Sequence, residues 1–187
     1  MLIDAVKEKV DISDAEVEIL TSSFQLIRKK KNAYLVKEGD ASLHLYFILE
    51  GYVRCYYIDD AGNEITTHIC GSNEFVTSFE SFSYKVPSKA NVQCTSDCVL
   101  LSITKEEHDG LYKSILNWTP FCQSVYEKQI VKISERAHTL QILSASERYL
   151  RLLHKQPQIA QNTSVKHLAS YLGIKPQSLS RIRKEIK

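Results

Sequence analysis

Short segments rich in β-branched and aromatic residues, separated by turn signals, fill the sequence from about residue 25 to residue 103. They read AYLVKEGD, LHLYFILEG, YVRCYYIDDAGNEITTHICG and ANVQCTSDCVLLSI. The stretch DDAGN at 59–63 supplies residues that tolerate a positive φ, as a hairpin loop requires. Because no long helical pattern separates these segments, they predict an antiparallel sandwich or roll rather than a parallel α/β sheet.

A helical pattern replaces this alternation after residue 105. We expect a short helix near 105–115 and a long one from about Thr119 to Leu143, with Pro120 in its first turn, where a missing N–H costs nothing. Apolar residues recur along the long helix at the seam spacing of a two-helix coil. They are Tyr126, Ile130, Ile133, Ala137 and Leu140. The pattern predicts a homodimer interface; the alternative is a helix that merely packs on its own roll.

Capping boxes mark the start of two further helices. Ser13 with Glu16 predicts a helix over 13–23, and Ser144 with Glu147 predicts one that ends before Pro157. The residues of the second helix expected to be buried are Tyr149, Leu150, Leu152 and Leu153. The segment from Gln156 to Asn162 is predicted to be a loop.

The last part of the chain has the pattern of two helices joined by a tight corner. Thr163 or Ser164 can cap the first helix, and Gly173 can end it. Pro176 then stands at the first position of the second helix. The apolar positions are Val165, Leu168, Ala169 and Leu172 in the first helix, then Leu179, Ile182 and Ile186 in the second. Two apolar stripes and a corner that contains glycine predict a helix-turn-helix.

The outer face of the second predicted helix is polar and basic. Gln177, Arg181 and Lys184 are spaced so that they point away from the apolar stripe. In the major groove of DNA, Gln pairs with adenine and Arg with guanine. Further residues placed to reach DNA phosphates are Lys166, Lys175, Ser178, Arg183 and Lys187. The pattern predicts double-stranded DNA as the partner; the alternative is a solvated amphipathic helix.

Charge is distributed unevenly along the chain. Residues 163–187 contain six basic residues and one acidic residue, a net charge of +5, whereas the preceding 162 residues carry −3. The positive charge is thus confined to the predicted helix-turn-helix, which supports nucleic acid as the partner of this unit.

The sequence lacks the patterns of metal sites and of common catalytic sites. The five cysteines include no CxxC pair, and no two of the six histidines form an H-x-H pair. No G-x-S-x-G, H-E-x-x-H or glycine-rich phosphate loop occurs. We therefore expect no catalysis, no cofactor and no metal. No long apolar run or secretion signal is visible, so we expect a cytoplasmic protein that does not enter a membrane.

Together these patterns resemble the Crp/Fnr (catabolite activator / fumarate-nitrate regulator) family of transcription factors over nearly all of the chain. The resemblance is carried by LVKEGD and YFILEGYVRCYYIDDAGNEI, by ERAHTLQILSASERYLRLL and by HLASYLGIKPQSLSRIRK. It implies an α+β fold whose N-terminal antiparallel β-roll, a cyclic-nucleotide-binding-like double-stranded β-helix, occupies residues 1–117. A long dimerisation helix would follow in 118–143 and a helix-turn-helix domain in 144–187.

The resemblance also implies partners and residue roles. It implies a homodimer on a pseudo-palindromic DNA site and allows a contact with RNA polymerase. It places Pro176, Gln177 and Arg181 at base-reading positions and Ser164 and Ser178 at phosphate-contact positions. Lys175 stands where the family often has a small capping residue, so the entry to the recognition helix departs from the pattern.

The predicted effector pocket also departs from the family pattern. Members that bind cyclic AMP present a Glu to the ribose and an Arg with Ser or Thr to the cyclic phosphate. Here Phe75 keeps its place, Ser78 stands where the Glu would be, and Pro87 with Ser88 stand where Arg and Ser would be. Lys89 follows late and cannot grip a phosphate as a planar guanidinium does. We therefore expect that cyclic AMP does not control the protein.

Two possibilities for the effector stay open. One is an apolar or aromatic small molecule in a cavity lined by Phe75, Phe79, Phe82 and Tyr84; the other is no effector, with these aromatic residues as plain core. An alternative function is a ligand-sensing module of the same kind that acts through protein contacts rather than DNA.

Overall fold

The computed structural model describes residues 2–186, which form nine helices and eight strands. The strands are β1 (Gln25–Lys29), β2 (Tyr34–Val36), β3 (His44–Glu50), β4 (Val53–Ile58), β5 (Glu64–Cys70), β6 (Phe75–Val76), β7 (Asn91–Cys94) and β8 (Cys98–Thr104). The helices are α1 (Leu2–Lys7), α2 (Asp14–Ser22), α3 (Phe79–Tyr84), α4 (Lys105–Ser114), α5 (Trp118–Ile142), α6 (Ala145–Lys155), α7 (Pro157–Asn162), α8 (Val165–Tyr171) and α9 (Pro176–Glu185).

The strands form a roll of two four-stranded antiparallel sheets. Their orders are β1-β8-β3-β6 and β2-β7-β4-β5, which leaves β5 at the edge of the second sheet. Ile48 and Leu100 from the first sheet meet Val53 and Val92 from the second in a core where all four are fully buried. The predicted α+β fold with an antiparallel roll is confirmed.

The DDAGN sequence forms the predicted hairpin loop between β4 and β5, and the Asp59 side chain holds that loop. Asp59 Oδ1 accepts hydrogen bonds from the backbone N–H of Ala61 at 3.0 Å and of Asn63 at 2.8 Å. Gly62 has a φ of +80°, a conformation that glycine adopts without steric cost. The hairpin aligns Ile58 with Glu64 and so sets the position of β5, which carries contacts described below.

The outer face of the first sheet packs against helices that precede the strands in the chain and against helices that follow them. Its core joins Phe47 and Ile103 of the sheet with Leu20 of α2 and with Trp118 and Phe121 of α5. The first turns of this 25-residue helix are therefore buried against the roll, and later turns still contact it, since Arg136 donates a hydrogen bond to Thr66 O. Within residues 2–186, no helix combines the length and apolar character that a membrane crossing requires.

Local signals explain where several helices begin. Capping boxes start α2 at Ser13, α4 at Thr104 and α6 at Ser144, and the first and third of these were predicted. The short helix α1 was not predicted from the sequence. It is held by tertiary packing, since Leu2 and Val6 are buried in the roll's outer core.

The helices α6 to α9 share a hydrophobic core, which Ile69 of β5 joins. Leu168 of α8, Leu172 just after it, and Leu179 and Ile182 of α9 are all at most 4% exposed. They pack with buried residues of α6 and α7, and Gly173, with a φ of +68°, turns the chain between α8 and α9. The predicted helix-turn-helix is present at the predicted residues.

Three sequence predictions in this part were wrong. The segment 156–162 is mostly helix α7 rather than loop, because Pro157 fits the first helical position and Ile159 is buried beneath it. Leu150 is 47% exposed because it lies about 100° around the helix from the buried residue before it. Ile186 is 38% exposed, since it follows the last residue of α9 and extends past the domain core.

Candidate nucleic-acid interface and effector cavity

The rotation of α9 is set by its apolar side. Leu179 is fully buried and Ile182 nearly so, and both face α8 and α6. Gln177, Arg181 and Lys184 lie on the opposite side and are exposed, as the sequence predicted. These three side chains are called the reading face below.

The reading face keeps its polar groups free of partners. The side chains of Gln177 and Lys184 make no hydrogen bond or ion pair with residues 2–186. Within the same residues, the Arg181 side chain approaches only Glu185, with 3.9 Å between Nε and a carboxylate oxygen, and it is 77% exposed. Such a loose surface pair costs little to break. The amide and the guanidinium are therefore available to the edges of bases.

The corner before α9 is fixed by backbone bonds. Gly173 N donates to Ser170 O at 3.1 Å and Ile174 N to Ala169 O at 3.0 Å, which is the Schellman pattern of a helix that ends on a left-handed residue. Ile174 then packs against the domain core. The angle between α8 and α9 thus follows from local sequence.

The start of α9 is open. Pro176 occupies its first turn, and Lys175 is the N-cap residue with φ −77° and ψ 149°. No side chain caps the first N–H groups, since the Lys175 side chain has no acceptor atom. Lys175 and Pro176 are both exposed, so the helix presents free N–H groups and a cation at the same end.

The other predicted phosphate contacts lie in different settings. Ser164 is exposed, and its Oγ accepts a hydrogen bond from His167 N at 3.2 Å at the start of α8. Ser178 is half-buried in the first turn of α9. Lys166 is 66% exposed, and its Nζ lies 3.3 Å from a carboxylate oxygen of Glu64 on β5. Lys166 is therefore partly neutralised by the roll.

Arg183 does not occupy the position that the sequence suggested. Its guanidinium lies over the ring of Tyr149 at 5.6 Å and donates to Ala160 O at 3.2 Å. It is half-buried because the helix period places it beside the apolar stripe rather than opposite it. The predicted phosphate contact by Arg183 is a wrong prediction for this arrangement, and Lys187 lies outside the described residues.

The helix α8 is docked on the edge strand of the roll. Ser170 Oγ accepts from Thr66 N at 2.8 Å and donates to Glu64 O at 2.7 Å, which satisfies two backbone groups that an edge strand leaves open. Arg136 of α5 donates to Thr66 O at 3.0 Å and to Tyr171 O at 2.8 Å. One guanidinium therefore joins the long helix, the roll and the helix-turn-helix.

Glu64 connects this docking to the inside of the roll. Its carboxylate lies 2.7 Å from Arg54, which is 2% exposed and also donates to Gln93 at 2.7 Å. Burial raises the pKa of Glu64, but the hydrogen bonds and charges of Arg54 and Lys166 outweigh it and the net pKa is lowered. Burial, with the charge of Arg54, lowers the pKa of His167 to about 4, so the ring beside Glu64 is neutral at neutral pH.

The predicted dimer seam of α5 is largely uncovered within one chain. Ile130 is 64% exposed and Ile133 51%, and Ala137 is also exposed. Tyr126 is 43% exposed and its ring meets Phe79 edge to face at 6.4 Å. Leu140, at 37% exposure, lies near the corner of the helix-turn-helix. Within one chain, this face of α5 therefore presents an apolar row to solvent.

A cavity of about 200 Å³ lies in the second sheet beside α3 and α5. Phe75, Ser78 and Lys89 line it, as the sequence predicted, and so do Gln129 and Ile133 of α5. Ile133 therefore faces both the cavity and the exposed seam. A molecule bound in the cavity would therefore contact the predicted dimerisation helix directly.

The two serines at the expected nucleotide-binding positions bond to each other. Ser88 Oγ lies 2.7 Å from Ser78 Oγ and 2.6 Å from Ala90 O, and it accepts from Ala90 N. Ser88 is 3% exposed and lies behind the cavity wall, not on it. The hydroxyls that could meet a phosphate are thus satisfied by the protein itself.

The cavity offers little to an anionic ligand. Lys89 forms an ion pair with Glu80 at 2.8 Å, so its charge is already balanced. Burial lowers the pKa of His68, and the charges of Arg136 and Lys132 lower it further against the opposite effect of Glu74, which favours the uncharged ring. Burial raises the pKa of the Cys55 thiol to about 12. A buried phosphate needs a cation or several free donors. The one lysine among the described lining residues, Lys89, already has a carboxylate partner.

Two aromatic residues proposed for this cavity lie elsewhere. Phe82 is buried in the roll's outer core, and Tyr84 is 76% exposed. They sit on the far side of α3 because a short helix directs successive residues to different sides. Phe75 and Phe79 do line the cavity.

No cluster of metal-binding side chains exists in the part of the chain that the structure describes. All five cysteines are unpaired.

The residues that couple the parts of the molecule gave no signal in the sequence. Glu64, Arg136 and Ser170 are ordinary polar residues at unremarkable spacing, and they meet only in the folded chain. The single hint was the run of polar residues in the first part of β5, EITTH, where an edge strand needs a cover.

The sequence and the fold were compared with those of known proteins. The family model of the cyclic nucleotide-binding domain matches residues 26–114. A search of curated proteins found no significant match to the sequence.

Solved structures share the fold at low sequence identity. The c-di-GMP-responsive global regulator CLP of Xanthomonas campestris is 21% identical, with a TM-score of 0.73 over 93% of this chain and 91% of that one. FixK2 of Bradyrhizobium japonicum is 12% identical, with a TM-score of 0.77 over 87% and 84%. A protein of Eubacterium rectale assigned to the Crp/Fnr family of transcriptional regulators is 15% identical, with a TM-score of 0.73 over 92% and 82%. Residues 26–114 therefore match the model of the cyclic nucleotide-binding domain, and the chain as a whole shares the fold of solved Crp/Fnr transcription regulators.

Proposed function

We propose that this chain is a dimeric, sequence-specific DNA-binding transcription regulator of the Crp/Fnr type that cyclic AMP does not control. The observation that carries the proposal is the reading face. Gln177, Arg181 and Lys184 stand exposed and without firm partners on a helix whose other side is locked into a core. A recognition helix needs this combination of rigid support and free polar groups.

We assign base contacts and phosphate contacts to different residues. Arg181 would pair with guanine and Gln177 with adenine in the major groove, with Pro176 beside the bases at the helix start. Ser164, Lys166, Lys175, Ser178 and Lys184 would meet phosphates and fix the orientation. Lys166 would have to exchange its partner Glu64 for a phosphate, so DNA binding would loosen one contact between the DNA-binding domain and the roll.

A homodimer follows from the uncovered seam of α5. Pairing at Tyr126, Ile130, Ile133, Ala137 and Leu140 would bury the apolar row and set two reading faces side by side. Dimeric helix-turn-helix proteins place their recognition helices about 34 Å apart in successive major grooves. The proposed division of labour is an effector domain in 1–117, a dimerisation helix in 118–143 and a DNA-binding domain in 144–187.

Control by an effector would pass through the cavity. Its lining is mostly apolar, its one serine, Ser78, is bonded to Ser88 behind the wall, and its one lysine is paired with Glu80, so the fitting class is a small uncharged apolar or aromatic molecule. Such a ligand would touch Gln129 and Ile133 and thereby shift the seam. A regulator of this kind would act in the cytoplasm without catalysis, where RNA polymerase is a further partner.

The proposal is tested by selecting bound sequences from a random duplex pool with the full chain. We expect enrichment of a pseudo-palindrome with half-site centres about one helical turn apart, bound with an affinity that falls steeply with salt. The double variant Gln177→Ala/Arg181→Ala is the control and should enrich no motif. Absence of any enriched motif from the parent chain would instead favour a sensing module that signals through protein contacts.

The dimer is tested by sedimentation of Ile130→Glu, which puts a charge into the seam. We expect the variant to sediment as a monomer while the parent is a dimer. Val131→Glu is the matched control, because Val131 is 58% exposed but lies well around the helix from the seam. A dimer that survives Ile130→Glu, or that dissociates equally with Val131→Glu, would place the interface elsewhere.

A further inference from the structure

A second cleft lies between β5, α5 and α6, where the roll, the long helix and the DNA-binding domain meet. It has a volume of about 120 Å³. Its lining is rich in cations, which are Lys132, Arg136, Arg148, Arg151 and Lys155. Only two carboxylates line it, those of Glu74 and Glu135. The cleft adjoins the effector cavity at His68 but is a separate space.

The carboxylates of the cleft are already used. Glu74 forms an ion pair with Lys132. Glu135 lies 3.1 Å from Lys155 and 3.7 Å from Arg151. Three of the five cations therefore pair with two acids, which leaves one positive charge in excess among these five side chains.

The other two cations have no carboxylate within 4.0 Å among residues 2–186. Arg136 donates to backbone carbonyls of Tyr171 and Thr66. Arg148 donates through Nε to Leu172 O at 3.0 Å and through one Nη to Leu143 O. A guanidinium has five N–H groups, so each arginine keeps donors beyond those it uses here. Their positive charge is left uncompensated.

The pKa shifts of two groups in the cleft are consistent with this excess of positive charge. Burial lowers the pKa of Arg136, and the charge of Arg148 lowers it further, although Tyr171 opposes the shift. Burial lowers the pKa of His68, and Arg136 and Lys132 act in the same direction. A half-buried space that holds like charges together is stabilised by an anion.

We propose that this cleft binds a small oxyanion with at least two negative charges, of the phosphate or dicarboxylate class. Two guanidiniums whose main-chain bonds fix their position match the oxygens of such an anion. The volume is well below the roughly 300–1,000 Å³ of sites for drug-sized ligands, so a nucleotide is too large. This site is distinct from the effector cavity and does not depend on the proposed DNA binding.

An anion in this cleft would hold the three parts of the chain together. Arg136 belongs to the long helix and bonds the roll, while Arg148 belongs to the first helix of the DNA-binding domain. Neutralising both at once removes their repulsion, which favours the docked arrangement seen in the structure. Binding would thus oppose any change that moves α8 off β5.

The test is calorimetric titration of the full chain, without DNA, with inorganic phosphate and with succinate, at constant ionic strength set by chloride. We expect saturable binding of at least one of the two anions, and the stronger of the two identifies the class. Arg148→Gln should weaken binding about tenfold or more, the effect of losing a charge-assisted contact. Glu135→Gln should strengthen it about threefold, since it frees two cations in the cleft.

Two opposite effects separate a binding role from a structural one. Arg148→Gln can weaken binding simply by disturbing the fold, because its side chain bonds two carbonyls, but a damaged fold cannot explain tighter binding by Glu135→Gln. Glu127→Gln, an exposed position on the same helix that does not line the cleft, is the matched control and should change nothing. No saturable binding above chloride, or equal behaviour of Glu135→Gln and Glu127→Gln, would overturn the proposal.

Discussion

The reading face of α9 and the effector cavity of the roll treat polar side chains in opposite ways. On α9, Gln177 and Arg181 are held outward and left without firm partners, at no cost, because water satisfies them. In the roll, Ser78 and Ser88 are buried and satisfy each other. Buried polar groups must form hydrogen bonds inside the protein, whereas exposed ones are hydrated and remain available to a ligand. The comparison supports the proposal that the chain binds DNA through α9 and does not bind cyclic nucleotides in the roll.

The largest expected effect concerns the support of the reading face. Leu179→Ala should lower the free energy of unfolding by about 2–5 kcal/mol, because it removes a fully buried side chain beneath the exposed residues. Ile186→Ala, on the same side of the chain but 38% exposed, should cost well under half as much. Denaturant unfolding of both variants provides the measurement. Equal losses would mean that the core extends past the end of α9.

A smaller effect is expected for the serine pair that closes the cavity. Ser88→Ala should cost about 1–3 kcal/mol, since it deprives a buried hydroxyl and the Ala90 backbone of their partner. The double variant Ser78→Ala/Ser88→Ala should cost less than the sum of the two single variants, because the two hydroxyls depend on each other. Denaturant melts of the three variants form the cycle. Strict additivity would show that the pair does not close the site.

For cyclic nucleotides we expect no effect on the melting temperature. Cyclic AMP and cyclic GMP, and cyclic di-GMP because one similar structure is that of a c-di-GMP-responsive regulator, should leave the melting temperature unchanged at millimolar concentration. Binding with a Kd one hundredfold below the ligand concentration would add about 2.7 kcal/mol and could not be missed. The parent chain before and after ligand addition is its own control. A clear rise in melting temperature would reopen the nucleotide site.

Local sequence predicted the features that local forces decide. The capping box at Ser144, the Gly173 corner and the stripe of Leu179 and Ile182 all act within a few residues, so their patterns could be read directly. The antiparallel roll was equally visible, because alternation and turn residues repeat along 25–103.

Features that depend on distant contacts escaped the sequence. The docking of Ser170 on β5 joins residues more than one hundred positions apart. Arg183 carries the same charge as Arg181, but the helix period places it beside the apolar stripe, where its guanidinium packs over the ring of Tyr149. The helix α7 depends on the burial of Ile159, which a seven-residue polar segment gives little reason to expect. Sequence indicates where charge lies along the chain, while the fold decides which charges remain free.

The measurement that tests the account most directly is a titration of wild-type protein and of Arg181→Ala against the selected duplex and its single-base-pair variants. Arg28→Ala is the control, since Arg28 is an exposed arginine of the roll far from α9 in sequence. We predict that Arg181→Ala loses about 1–3 kcal/mol of binding and tolerates every base at one position of each half-site, while Arg28→Ala keeps the parent preference. Unchanged preference at every position in Arg181→Ala would contradict the claim that the reading face recognises DNA sequence.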